Sequence, residues 1–310
     1  MPSRFVTLMI ILFWFFTVGW FVKREFLPSW LASDSSPEFS VDLADEAAPR
    51  ITSWNIFQGE KKLGYLNSKL SFLGKEDAFE IENRLQSMVV KMGILQYNLE
   101  VHIPSIRTVS VIDRNGQLRK QSTSGKFQIY FNIGPQAQDS SQSLSFEAEL
   151  EGEVREGQFQ GQSFLRTPFG EFKNDLTPFP VTRGNLFNPM QPQDRIFGLT
   201  PGRSWKMTLV DPVSETISQA TFQTLNNLAK QAKLELPLET LKSRQAPEII
   251  AEVLAEPQQL LWKDVQENCQ VIEYRNDSVT GRTWVRISDG KVLQQEATGF
   301  GEKLKLVRDN

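Results

Sequence analysis

Short runs rich in Val, Ile, Phe, Tyr and Thr recur along this chain, and each stops at residues that turn the backbone. They are "NIFQ" before Gly59-Glu60, "VSVID" before Asn115-Gly116, "KFQIYFNI" before Gly134-Pro135, "EGEVREGQFQG" around Glu156-Gly157, "SWKMTLV" before Asp211-Pro212 and "CQVIEY" before Asn276-Asp277. Alternation with period two sorts residues onto the two faces of a strand, and Gly-containing pairs supply the positive φ that tight hairpins need. Such punctuation leaves little room for long helices. It predicts a mainly β fold with one or a few helices, built on an antiparallel meander.

Helical periodicity is clear in "TISQATFQTLNNLAKQAK", 216–233, where Ile217, Phe222, Leu225 and Leu228 share one face. This predicts a helix against the sheet. Between Leu176 and Gly202 stand Pro178, Pro180, Pro189, Pro192 and Pro201, a composition that suits a long crossover or lid.

One hairpin can be drawn in detail. In "RTWVRISDGKVLQQE", 282–296, a two-residue type I′ turn at Asp289-Gly290 would set Ile287 opposite Val292 and Val285 opposite Gln294. Trp284 and Arg286 would then share the other face with Leu293 and Gln295. "RTVSVIDRNGQLRKQS", 107–122, echoes this stretch, which admits two related halves, 51–180 and 195–310.

Ahead of the β-rich part lies Phe5 to Val22, "FVTLMIILFWFFTVGWFV", uncharged and bounded by Arg4 and Lys23-Arg24. At ~1.5 Å per residue such a run extends about 27 Å, close to the ~30 Å hydrocarbon core of a bilayer. Trp20 and Trp30 lie near one end, where amphipathic rings favour the interface. A cleaved signal peptide needs small residues at its cleavage site, and "SWLAS" puts Trp30 there instead. The expectation is a single-pass anchor, 1–24, in the cytoplasmic membrane, with residues 5–22 as the membrane contact. An acidic tether, 25–50, follows, then an extracytoplasmic body, 51–310. Flanking charge is nearly balanced, so orientation rests on the tendency of long domains to cross regardless of local charge.

Composition removes several classes of function. A formal net charge of -3, with no Lys/Arg run or basic-aromatic strip in the body, gives no field for concentrating phosphates, so nucleic acid is not an expected partner. One cysteine excludes an internal disulfide and any zinc site with two thiolates. Cys269, in "ENCQVIEY", shares a strand face with Val271 and reads as a small core hydrophobe. His102, the single histidine, has no nucleophile motif beside it and reads as structural or solvent-facing. Gly299-Phe300-Gly301 lacks the βαβ context of a nucleotide fingerprint. No acidic residues repeat at metal-ligand spacing, although a carboxylate pair assembled in space has no sequence signature. The sequence therefore marks no catalytic, cofactor-binding or metal residue, and calls for no cofactor.

In order along the chain stand "WNIFQGEKKLGY", "RNGQLRKQS", "EGEVREGQFQG", "LTPGRSWKMTLVDP", "TWVRISDGKVLQQEA" and "LKLVRDN". This order resembles uncharacterised bacterial envelope proteins whose body is similar to lipoprotein-carrier folds, and the non-catalytic region beside transglutaminase-like domains. The resemblance implies a curved, incomplete-barrel antiparallel sheet wrapping a helical lid around an apolar cleft. It transfers no catalytic residue, because Cys269 and His102 match neither the context nor the order of a transglutaminase-like centre. The function expected is non-enzymatic binding of an apolar ligand, such as a lipid, or of an envelope protein partner. An accessory or assembly subunit without a small-molecule ligand is the alternative, and an unrecognised hydrolase the third reading.

Overall fold

The computed structural model describes residues 47–94, 97–114, 116–132, 142–168, 170–176, 178–181, 192–208, 248–276, 280–299 and 302–309. Residues 5–22, the tether through residue 46 and the predicted helix 216–233 lie outside them. Among the described residues no helix is long and apolar enough to cross a membrane.

The strands are β1 (Arg50–Gln58), β2 (Lys61–Leu73), β3 (Ala78–Ile94), β4 (Tyr97–Asp113), β5 (Leu118–Asn132), β6 (Gln142–Arg155), β7 (Gln158–Thr167) and β8 (Gly170–Asp175). They continue as β9 (Phe179–Pro180), β10 (Ser204–Thr208), β11 (Glu248–Val253), β12 (Gln258–Trp262), β13 (Val265–Arg275), β14 (Thr280–Arg286), β15 (Val292–Gly299) and β16 (Glu302–Arg308). All belong to one antiparallel sheet, in the order β10-β11-β13-β14-β15-β16-β1-β2-β3-β4-β5-β6-β7-β8, with β12 on β13 and β9 on β7. The mainly β antiparallel expectation holds. The join at its centre has no local signal: β1 pairs with β16, Trp54 opposite Arg308 and Ile56 opposite Leu306.

One face of the sheet carries the main core. Trp54 and Ile56 of β1, Trp205 of β10, Ile249 and Val253 of β11, Ile272 and Tyr274 of β13, and Leu306 of β16 pack in one cluster. Burying a large apolar side chain is worth roughly 1.5–3 kcal/mol, so this cluster dominates the stability of the sheet. The opposite face holds a smaller core. There Cys269, Val271, Trp284 and Leu293 pack with Leu260 and Trp262 of the β12–β13 hairpin. The Trp262 indole N–H donates to the Arg308 carbonyl oxygen at 2.9 Å, fastening that hairpin across the sheet.

Turn chemistry shows where local reading succeeds. Glu156 and Gly157 both take left-handed angles (φ 52 and 75), with Arg155 opposite Gln158, as a type I′ turn requires. At Asn115-Gly116 the loop has three residues: the Asp113 N–H donates to the Gln117 carbonyl at 2.9 Å, and the register shifts between Val111 and Ile112. The predicted two-residue turn at Asp289-Gly290 is also overturned. It has four residues, 287–290: the Arg286 N–H donates to the Lys291 carbonyl, the Gly290 N–H to the Arg286 carbonyl, and only Gly290 is left-handed, with φ 69. The Asp289 carboxylate explains the longer loop. It accepts from the Arg286 guanidinium at 2.9 and 2.7 Å and from the Lys291 N–H at 3.1 Å.

Pairing changes accordingly. Val285 meets Val292, Trp284 meets Gln294 and Thr283 meets Gln295, with a bulge between Trp284 and Val285. The predicted grouping of Trp284 with Leu293 stands, while Gln295 moves to the main-core face and is fully buried. A bulge adds one residue to one strand and so exchanges faces beyond it.

Candidate functional site

Register turns alternation into rows across the sheet. On the main-core side, Leu66, Leu85, Ile106, Gly125, Ala148, Leu165 and Phe172 stand opposite one another in succession from β2 to β8. Phe127 opposite Phe146, and Ile129 opposite Leu144, extend this apolar tract along β5 and β6. Apart from Gly125, which is buried, every residue of the tract is only partly buried. At Gly125 an added Cβ would lie 3.1 Å from Ile106 and 3.3 Å from the Phe127 ring, because those two side chains lean over the gap. A polar row, Ser68, Asn83, Thr108, Thr123, Leu150 and Ser163, bounds the tract on one side, with Leu150 its one apolar member. Thr108 and Thr123 hydrogen-bond there at 3.2 Å.

The other side of β3 to β8 is charged and internally matched. Lys126, Glu147, Arg166 and Glu171 form a ladder across four strands, with ion pairs of 3.3, 2.8 and 2.7 Å. Hydrogen bonds from Arg166 and Lys126 hold the Glu147 carboxyl below its usual range. On β3, Glu82 accepts from Arg107 and Arg84, which likewise lowers its carboxyl. Alternating signs of this kind mark a solvated face whose exposed pairs are worth about 0–1 kcal/mol each.

A strap formed by residues 192–199 closes one end of the main core. The Val292 N–H donates to the Asp194 carbonyl at 3.0 Å and the Ile196 N–H to the Gly290 carbonyl at 2.9 Å, while Arg195 bridges to Lys291. Asp194 is the fastening. Its carboxylate accepts from Arg50, from Thr52 at 2.9 Å and from Arg308 at 2.7 Å. Burial pushes this carboxyl up, but the two guanidinium groups and Thr52 outweigh burial and leave it below its ordinary value. The region read as a crossover or lid thus contains an ordered cover. Its signal in sequence is one aspartate among prolines, and its two arginine partners lie far away along the chain.

No protein-family model, curated protein or solved structure matches this chain.

The residues weighed for chemistry lie apart. His102, in β4, is partly exposed on the charged face, 2.7 Å from Glu100, with its ring tilted by 52° against that of Tyr130 at 4.5 Å. Cys269 is fully buried in β13, and burial pushes its thiol up to about 11, far from the thiolate a nucleophile needs. Among the described residues no group of three His, Cys, Asp or Glu side chains is placed to hold a metal. The buried indole N–H groups of Trp54 and Trp205 meet no acceptor among the described residues. Each is a donor that a bound group or an ordered water would satisfy.

Proposed function

We propose that this chain is a membrane-anchored, extracytoplasmic binding protein without a catalytic role, whose body presents its apolar tract to an acyl chain or similar apolar ligand. One observation carries the reading. The apolar tract continues outward from a fully buried core along β3 to β8, on strands long enough to lie beside an extended hydrocarbon chain. Apolar surface of this kind gains roughly 25 cal/mol for each Å² removed from water by a ligand. The indole donors of Trp54 and Trp205 suit a ligand with a polar end.

The same reading takes residues 1–24 as anchor, 25–50 as tether and 51–310 as an incomplete, curved barrel in the cell envelope. Curvature is supported by burial: Trp54 and Trp205 are 1% exposed, although each stands on one face of a single-layer sheet. Two related halves, 51–180 and 195–310, are supported by the strand order, which runs from β1 to β8 on one side of the β1–β16 join and through β10 to β16 on the other, within one continuous sheet. An envelope protein laying an apolar strand or helix on the tract is the second occupant that this surface suits.

The test is photolabelling of the full chain in membranes with a diazirine-bearing fatty acid, followed by peptide mapping. Labels should fall on 101–131 and 143–172, and Phe146→Glu should reduce them severalfold. Labelling confined to residues 5–22 would sink the proposal, and crosslinks to another polypeptide in its place would select the protein partner.

A further inference from the structure

Two outer edges of the sheet are finished in opposite ways. β7 and β8 join through a two-residue turn, with Thr167 opposite Gly170. Residues that close such a turn exchange backbone hydrogen bonds, so by alternation Glu171, Lys173 and Asp175 direct their N–H and C=O groups away from β7. All three are exposed. Charged side chains beside an open row of backbone groups discourage a further strand from pairing there.

β12 lacks that protection. It joins β13 through Lys263 and Asp264, both left-handed (φ 50 and 62), with Trp262 opposite Val265. The same alternation directs the backbone groups of Gln259 and Leu261 outward. Neither residue is charged, and Leu261 is 63% exposed, the largest value among the exposed large hydrophobic residues that the structure describes. β10 pairs with Glu248 to Glu252 of β11, and Gly202 and Arg203 just before it bond to Val253, so this pairing ends before β12. Among the described residues no strand pairs the outer edge of β12.

This edge is also complementary to itself. Two copies laid antiparallel about a two-fold axis at Leu261 set Leu261 opposite its own mate and Leu260 opposite Trp262. Gln259 and Gln258 then reach the partner's turn at Lys263-Asp264, so apolar residues meet each other and no like charges are opposed. We infer that β12 is a strand-addition edge whose occupant is β12 of a second copy of this chain, continuing the sheet across a two-fold axis. The inference is independent of any ligand on the apolar tract.

Disulfide trapping in the full chain tests it. Residues that exchange hydrogen bonds across antiparallel strands have Cα atoms about 5.5 Å apart, within the span of a disulfide. In membranes of expressing cells, Leu261→Cys under mild oxidation should yield a covalent dimer, whereas Glu171→Cys on the charged β8 edge should not. Native Cys269 is buried and stays out of the reaction. Equal dimer yields from both variants, or none from either, overturn the inference. As a second readout, sedimentation of the detergent-solubilised full chain should show a dimer for wild type and a monomer for Leu261→Lys, with an unchanged unfolding midpoint. A wild-type chain that is monomeric throughout overturns it, as does capture of Leu261→Cys by a different protein in place of its own copy.

Discussion

Gly290 and Gly157 provide a comparison in which one term of an energy is isolated. Both are left-handed, with φ 69 and 75. An alanine there costs about 1–2 kcal/mol for the backbone conformation, offset in part by the lower entropy of its unfolded chain. At Gly157 a Cβ meets nothing within 4 Å, so Gly157→Ala should lose about 1 kcal/mol in total. At Gly290 it would stand 2.8 Å from the Phe197 ring and 2.9 Å from the Ile196 carbonyl oxygen. The Phe197 ring is partly exposed and can swing aside. The Ile196 carbonyl cannot, because the same peptide stretch is held by the Ile196 N–H to Gly290 and by the Asp194 fastening. The strap must lift, and overpacking of this kind costs about 1–3 kcal/mol more. Gly290→Ala should therefore lose about 3 kcal/mol, and Gly290→Val more, against about 1 for Gly157→Ala. Urea unfolding followed by tryptophan fluorescence measures both. Equal losses at the two glycines would refute the claim that the strap packs on this turn.

Trp284→Ala should cost about 3–5 kcal/mol by emptying the smaller core, read from the same urea midpoints, whereas Ile287→Ala on the exposed turn should stay within about 0.5. Cys269 should resist alkylation at pH 8 in the native state and react fully in denaturant, and Cys269→Ser should cost about 1–3 kcal/mol. For Asp289, hydrogen bonds from Arg286 lower the carboxyl to about 2 from 3.8, so its contribution is complete above about pH 4 and lost as pH falls towards 2. Asp289→Asn should flatten the stability–pH curve in that window alone, as acid titration of the unfolding midpoint will show. Phe13→Arg with Phe15→Arg should release the body into the soluble fraction, since an arginine at mid-bilayer costs roughly 2.5–3.5 kcal/mol; fractionation and blotting check this.

Much of the fold is local, and local rules read it from sequence. Alternation in "VSVID" and "CQVIEY" places their strands, Glu156-Gly157 forms the turn its residues favour, and Cys269 shares a buried face with Val271. The hairpin at Lys263-Asp264 escapes such reading, because it carries left-handed angles on residues that do not advertise them. The turn at 287–290 escapes for a different reason. A two-residue loop is favoured by its own backbone, but Arg286 gripping Asp289 and the strap crossing Gly290 lengthen it, and the resulting bulge moves Gln295 into the core.

What the chain settled by itself, among the described residues, is its mainly β character: the alternation that extends its strands, the tight turns at Gly59-Glu60 and Glu156-Gly157, and which side of a strand is apolar. Only the tertiary structure decided that β16 closes on β1, that Asp194 meets Arg50 and Arg308 across more than a hundred residues of chain, and that the apolar sides of β2 to β8 align into one tract. The reason is physical. Strand and turn preferences act over a few residues, whereas pairing between distant strands is chosen by the fit of whole faces, and that fit is not written at any single position.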